Sequence, residues 1–196
     1  IMKKEGWDFI ETLKNLAART GVELQPQTEE QKDQDEQYNR LHQLLDEAVI
    51  FYRHQLLQTP AGSGALNYLL NRGVKKETIE KVGLGYSPAS WDNTYQYFLG
   101  KGYSENDLEE AGMVSKRDTG GIYDRFRNRL MFAIRDANGK MVGFGARTLD
   151  PEDMPKYLNS PESPLFQKKN FLYGLDRARE SIKQENRAIL VEGYFD

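Results

Sequence analysis

One apolar stripe dominates the first half of the chain. Tyr38, Leu41, Leu45, Ala48, Val49, Tyr52 and Leu56 recur at helical spacing, which gathers them on one face of an α-helix. The stripe predicts a long helix from about Asp35 to Gln58. Thr59-Pro60 ends it, because proline disfavours the α conformation in the residue before it. His42 and His54 fall on this helix and read as surface or edge residues. Later the period changes to that of strands. Leu130 to Arg135 reads as a strand, Asn138-Gly139 as a hairpin turn and Met141 to Arg147 as the return strand. The fold class is therefore α/β of the mixed (α+β) kind.

The flanking segments complete the plan. Trp7, Ile10, Leu13 and Ala17 recur at helical spacing before Gly21, and the polar stretch from Leu24 to about Gln37, with Pro26, has a linker composition. Residues 72–83 are echoed 29 residues later. In each copy a Gly turn precedes a short helix and a Gly stop, and Ser104 with Asp107 looks like a capping box. These are packing features. Pro151, Pro155, Pro161 and Pro164 punctuate a loop-rich stretch whose Tyr157, Leu158, Leu165 and Phe166 are expected to be buried. A helix is expected from Leu175 to Asn186 with Ala178 and Ile182 inward, then a buried strand at Ala188–Val191. A closing strand with no sheet to join, and a first residue other than Met, lead us to expect an internal piece of a longer protein.

Composition excludes several classes. The chain has 196 residues, 38% hydrophobic and 29% charged, which is globular composition. No apolar run is long enough for a membrane span or a signal-peptide core. No cysteine and two histidines exclude a disulfide framework, a thiolate zinc site and a multi-histidine centre within these residues. The net charge of −3 is unevenly spread: residues 23–47 carry a local balance of −6 and residues 121–147 one of +4. An acidic solvated segment beside an anion site would give this pattern, as would two ordinary charged surfaces.

Two groups of residues could carry chemistry. Arg125, Arg127 and Arg129 alternate, so an extended strand would put all three on one face, opposite Phe126 and Asn128. Arg147, Lys156, Lys168 and Lys169 add positive charge on nearby segments. Guanidinium forks match phosphate oxygens bidentately, and lysine serves as a mobile point charge. The same spacing also fits a solvated edge strand with scattered salt bridges. Gly143 and Gly145 face one side of the return strand and imply close approach by a packing neighbour or a nucleic-acid backbone. The second group is Glu192-Gly193-Tyr194-Phe195-Asp196. Carboxylates at a strand end and one helical turn on could converge on Mg²⁺, or the Glu could simply cap a following helix.

Taken in order, Arg125-Phe126-Arg127-Asn128-Arg129-Leu130-Met131-Phe132-Ala133-Ile134, Gly143-Phe144-Gly145-Ala146-Arg147, Pro155-Lys156-Tyr157-Leu158-Asn159-Ser160-Pro161-Glu162-Ser163-Pro164, Leu172-Tyr173-Gly174-Leu175 and Val191-Glu192-Gly193-Tyr194-Phe195-Asp196 closely resemble successive motifs of the bacterial DnaG-type DNA primase family. The resemblance runs from about Gln37 to Asp196. It implies three segments. Residues 1–34 would be a connector helix and linker from a zinc-binding domain, residues 35–186 the basic-ridge subdomain of the catalytic core, and residues 187–196 the first strand of a toprim subdomain. It implies template-directed synthesis of RNA primers on single-stranded DNA from ribonucleoside triphosphates, a nucleotidyltransferase activity.

By the same resemblance, Glu192 and Asp196 would be catalytic, binding Mg²⁺ or Mn²⁺ incompletely, and Zn²⁺ would belong only to the zinc-binding domain. Arg72, Arg125, Arg127, Arg129, Arg147, Lys156, Asn159 and Lys168 would bind nucleotide or nucleic acid. Partners would be the template, the triphosphates, an RNA–DNA primer hybrid and, through a C-terminal domain, the replicative helicase. The protein would be a cytoplasmic monomer at the bacterial replication fork, away from membranes. The piece alone is expected to bind but make no primers. The alternative is a non-catalytic single-strand-binding module of another toprim protein.

Overall fold

The computed structural model describes residues 9–21 and 28–195. Trp7, Leu24, Pro26 and Asp196, which figure in the sequence reading, lie outside them. The chain divides into two compact units, residues 1–36 and 37–196. In the first, helix α1 (Phe9–Thr20) is followed by Gly21 at φ +68°. Helix α2 (Glu29–Gln58) begins six residues before the expected start. The cause is a reciprocal cap, in which the Gln31 amide donates to Thr28 Oγ1 and the Thr28 amide donates to Gln31 Oε1. Glu29 and Glu30 then suit the positive end of the helix. Polar composition there marks a solvated first turn rather than a linker.

In the larger unit, Leu41, Leu44, Leu45, Ala48 and Tyr52 of α2 are fully buried. The four-stranded antiparallel sheet has the order β1-β4-β5-β6, formed by β1 (Leu84–Ser87), β4 (Arg129–Arg135), β5 (Met141–Thr148) and β6 (Tyr157–Asn159). Strand alternation divides the core between two faces. Met131, Ala133 and Phe144 pack in the cluster of α2, while Leu130, Phe132, Leu84 and Tyr86 pack with Leu56, Leu69 and Ile79. α2 crosses closely at Gly85, where a Cβ would lie 2.5 Å from Tyr52 Cβ.

Around the sheet lie α3 (Ser63–Asn71), α4 (Lys76–Val82), α5 (Asn93–Gly100), α6 (Glu105–Glu110) and α7 (Leu175–Glu185), with a separate hairpin of β2 (Val114–Lys116) and β3 (Ile122–Asp124). The 29-residue echo is structural. Val74 N–H bonds to Leu69 O and Tyr103 N–H to Phe98 O, at 3.0 and 3.1 Å. Each bond closes a helix end through a glycine of positive φ, Gly73 or Gly102. The Ser104–Asp107 capping box forms as expected.

Four expectations are corrected. Arg125 to Asn128 is a loop rather than a strand, because Asn128 at φ +52° turns the chain into β4. Tyr157 is exposed, although Leu165 and Phe166 are buried. Ala178 is exposed on α7, which has no buried residue and turns Leu175, Asp176 and Ile182 only partly inward. Ala188–Val191 forms no strand: among the described residues nothing pairs with it, and Ile189 and Leu190 are 81% and 82% exposed. Extended backbone becomes a strand only when a neighbour supplies hydrogen bonds.

Candidate nucleic-acid interface

β5 pairs with β4 so that Arg147 faces Leu130 across the ladder, and with β6 so that it faces Tyr157. Its guanidinium lies 4.9 Å from the centre of the Tyr68 ring, 5.8 Å from Phe195 and 5.9 Å from Tyr157. Buried Nε and Nη1 have no hydrogen-bond partner within the described structure. Arg72 ends α3 beside the same rings, 4.9 Å from Phe195, with Nη1 donating to the Tyr68 hydroxyl at 3.0 Å. Two cations thus converge on Tyr68 and Phe195, and neither has a carboxylate partner among the described ion pairs. Unpartnered buried guanidinium nitrogens are costly unless a ligand completes them.

Arg147 and Lys156 line a cleft of about 300 Å³. A neighbouring cleft of about 480 Å³ is lined by Arg125, Arg127 and Arg129. The two share Asp150, Asp153 and Met154, so they are continuous. The three arginines differ in role. Arg129 is buried; it donates to Asp153 at 2.7 Å and to the Pro155 carbonyl at 2.7 Å. It holds the wall of the cleft. Arg125 donates from Nε and Nη2 to the Asn159 carbonyl at 3.2 and 3.0 Å, and burial lowers its pKa from the usual guanidinium value. Arg127 rests on the Trp91 and Tyr123 rings. Neither Arg125 nor Arg127 has a carboxylate partner among the described ion pairs, which leaves their charge available to an anion.

Asn159 also accepts from the Tyr194 hydroxyl at 3.2 Å. Gly145 makes room for that ring, because a Cβ there would overlap it. At Gly143 a Cβ would lie 2.9 Å from Ser160 Oγ. Packing neighbours therefore account for both glycines.

The DNA primase catalytic core, N-terminal domain, family model matches residues 51–179. The chain belongs to this family. The DNA primase of Escherichia coli (strain K12) is 41% identical over 198 aligned residues, which cover all of this chain and 34% of the relative; the DNA primase of Synechocystis is 43% identical over 195, covering 96% and 30%. The chain thus spans about a third of the length of these curated relatives. A DnaG primase catalytic domain bound to single-stranded DNA superposes with a TM-score of 0.74 at 42% identity, covering 82% of this chain and 49% of that one. The RNA polymerase domain of Mycobacterium tuberculosis DnaG, in complex with a double-stranded DNA oligomer bearing a 6-nucleotide overhang, also gives 0.74, at 36% identity over 80% of this chain and 49% of its own.

Within this primase core the remaining candidates do not line the two clefts. Lys168 and Lys169 are exposed on a 3₁₀ turn whose first amide donates to Glu162 at 3.1 Å. Glu192 is exposed in the bend that carries Tyr194 and Phe195. Asp196 lies outside the described residues, and among those described no three His, Cys, Asp or Glu side chains converge as metal ligands. Glu192 alone does not make a site for Mg²⁺ or Mn²⁺, which need several oxygen ligands. No described helix is long and apolar enough to cross a membrane. Sequence reasoning missed Tyr68, Trp91 and Tyr123. An exposed aromatic and a buried one look alike in a sequence, and only the arginines stacked on these rings distinguish them.

Proposed function

We propose that this chain is the template-binding part of a DNA primase, a nucleotidyltransferase whose RNA primers are made from ribonucleoside triphosphates on single-stranded DNA. The single observation that supports this most is Arg147, with two buried guanidinium nitrogens unpartnered at the meeting of a cationic cleft and an aromatic pair. A phosphate oxygen would complete those donors and offset the charge of Arg72 beside them. Lys156, Arg125 and Arg127 would then follow the backbone into the neighbouring cleft, with Asn159 fixing the loop between. Such contacts read charge rather than sequence, so binding is expected to be nearly sequence-blind. Glu192 would meet the growing primer in the longer enzyme, and this chain alone would bind without synthesising. The alternative, a non-catalytic module of another toprim protein, loses weight with the family match. Replacing Arg147 with alanine should weaken binding of a single-stranded oligonucleotide by about tenfold, the scale of one charged hydrogen-bonding contact, while the melting temperature stays near the parent's. Unchanged affinity would contradict the reading.

A further inference from the structure

Among the described residues other than glycine, only Asn128 and Asn186 have a positive φ, and Asn128, at +52°, stands between Arg127 and Arg129. That region crowds a Cβ against the backbone, and asparagine tolerates it better than most residues. The turn is braced from several sides. The Asn128 amide donates to the Pro88 carbonyl at 3.2 Å, and the Tyr86 hydroxyl donates to Asn128 Oδ1 at 2.8 Å. Ser87 Oγ donates to the Phe126 carbonyl, and the Arg125 amide donates to the Met113 carbonyl at 2.9 Å. Phe126 is fully buried, its ring edge-on to Phe144 at 6.4 Å. Tyr86 and Ser87 reach the loop because β1 pairs with the start of β4, Ser87 opposite Arg129.

The turn decides where the arginines go. Strand alternation alone would carry Arg125 and Arg127 along the face of Arg129, which ends buried on Asp153 and the Pro155 carbonyl. One left-handed residue breaks that alternation. Arg127 reaches the Asp124 carbonyl instead, Arg125 reaches the Asn159 carbonyl, and Asn128 itself lines the cleft between Arg127 and Arg129. A costly conformation persists only where its surroundings enforce it, and such positions cluster at ligand sites. Resting on the single-strand reading above, we propose that Asn128 is a positioning residue of the cleft: its left-handed turn, latched by the Tyr86 hydroxyl, aims Arg125 and Arg127 at two phosphates of the strand while Arg129 stays in the wall. Asn128 acts through its neighbours rather than on the strand. Apparent affinity then scales with the fraction of molecules in which residue 128 holds the left-handed turn.

Three variants separate placement from stability. Asn128→Gly enters the left-handed region freely. Asn128→Pro is locked out of it at a φ of about −65° and loses the amide donor, and Asn128→Val resists it as a β-branched residue. Each is titrated with a single-stranded oligothymidylate across a series of salt concentrations, and each is checked for a cooperative urea transition. Asn128→Gly should keep the parent's slope of log affinity against log salt and stay within about threefold of its affinity, the scale of one neutral hydrogen bond. Asn128→Pro should make the slope shallower by about 0.7–1.4, one or two phosphate contacts' worth, and Asn128→Val should move it in the same direction. Where Asn128→Pro shows no cooperative transition, Asn128→Val decides. A folded Asn128→Pro or Asn128→Val that keeps the parent slope, or an Asn128→Gly that loses as much as Asn128→Pro, overturns the proposal while the phosphate track stands. A parent slope shallower than about −1 means that the single-strand reading itself fails, and the proposal with it.

Discussion

Three arginines two residues apart end in three different environments. Arg129 is buried against Asp153 and Pro155; Arg125 and Arg127 keep their charge at the cleft. Replacing Arg129 with alanine removes both hydrogen bonds and a packed side chain. We expect a stability loss of about 2 kcal/mol, read as a lower urea midpoint, with no change in the salt dependence of DNA binding. Arg125→Ala, which removes two hydrogen bonds from a less buried side chain, should instead make that slope shallower by about 0.7 and lower the midpoint less than Arg129→Ala does. Reversal of the two outcomes would overturn the assignment. Spacing could not separate these residues. It assumed a continuous strand, and the left-handed turn at Asn128 sends the chain another way. The unpartnered state of Arg147 was equally invisible, since it depends on Tyr68 and Phe195, far away in the sequence.

Among the elements, α2 was legible because its apolar stripe is long and its proline stop is local. Its true start was missed because the Thr28–Gln31 cap lies inside a run of polar residues. The β4–β5 hairpin was legible from Asn138-Gly139 and the strand period, and Gly139 adopts the expected positive φ of +86°. Helix–sheet contact was not legible. Gly85→Ala would push a methyl into Tyr52 and should cost about 1–3 kcal/mol, the usual scale of overpacking, seen as a lower urea midpoint.

Asp107 joins α6 to α2 through Arg40 at 2.9 Å and Gln37 at 3.3 Å. Burial acts to raise its pKa, but hydrogen bonds from Ser104, Arg40 and Gln37 outweigh burial, and the net result lies below the usual aspartate value. A lowered folded pKa means that ionised Asp107 stabilises the fold above about pH 4, and that this stability is lost as pH falls through the folded value. Asp107→Asn should therefore be less stable than the parent at neutral pH, with the gap closing in acid. Urea midpoints at the two pH values test this, and an equal gap at both would contradict it.

Across the whole molecule, the sheet and its loops bring together bases that the sequence scatters from Arg72 to Lys156. The charge asymmetry along the chain hinted at an anion site but could not locate it, because the −6 and +4 segments say nothing of which side chains are already paired. Asp153, for instance, is paired with Arg129. What remains is a continuous pair of clefts whose free cations include Arg125, Arg147 and Lys156, with Arg72 close by. The most direct measurement is the affinity of this chain for a single-stranded oligodeoxynucleotide across a series of salt concentrations. About four phosphate contacts should give a slope of log affinity against log salt near −3. A slope shallower than about −1, less than two contacts' worth, would mean that the cationic clefts do not hold the strand.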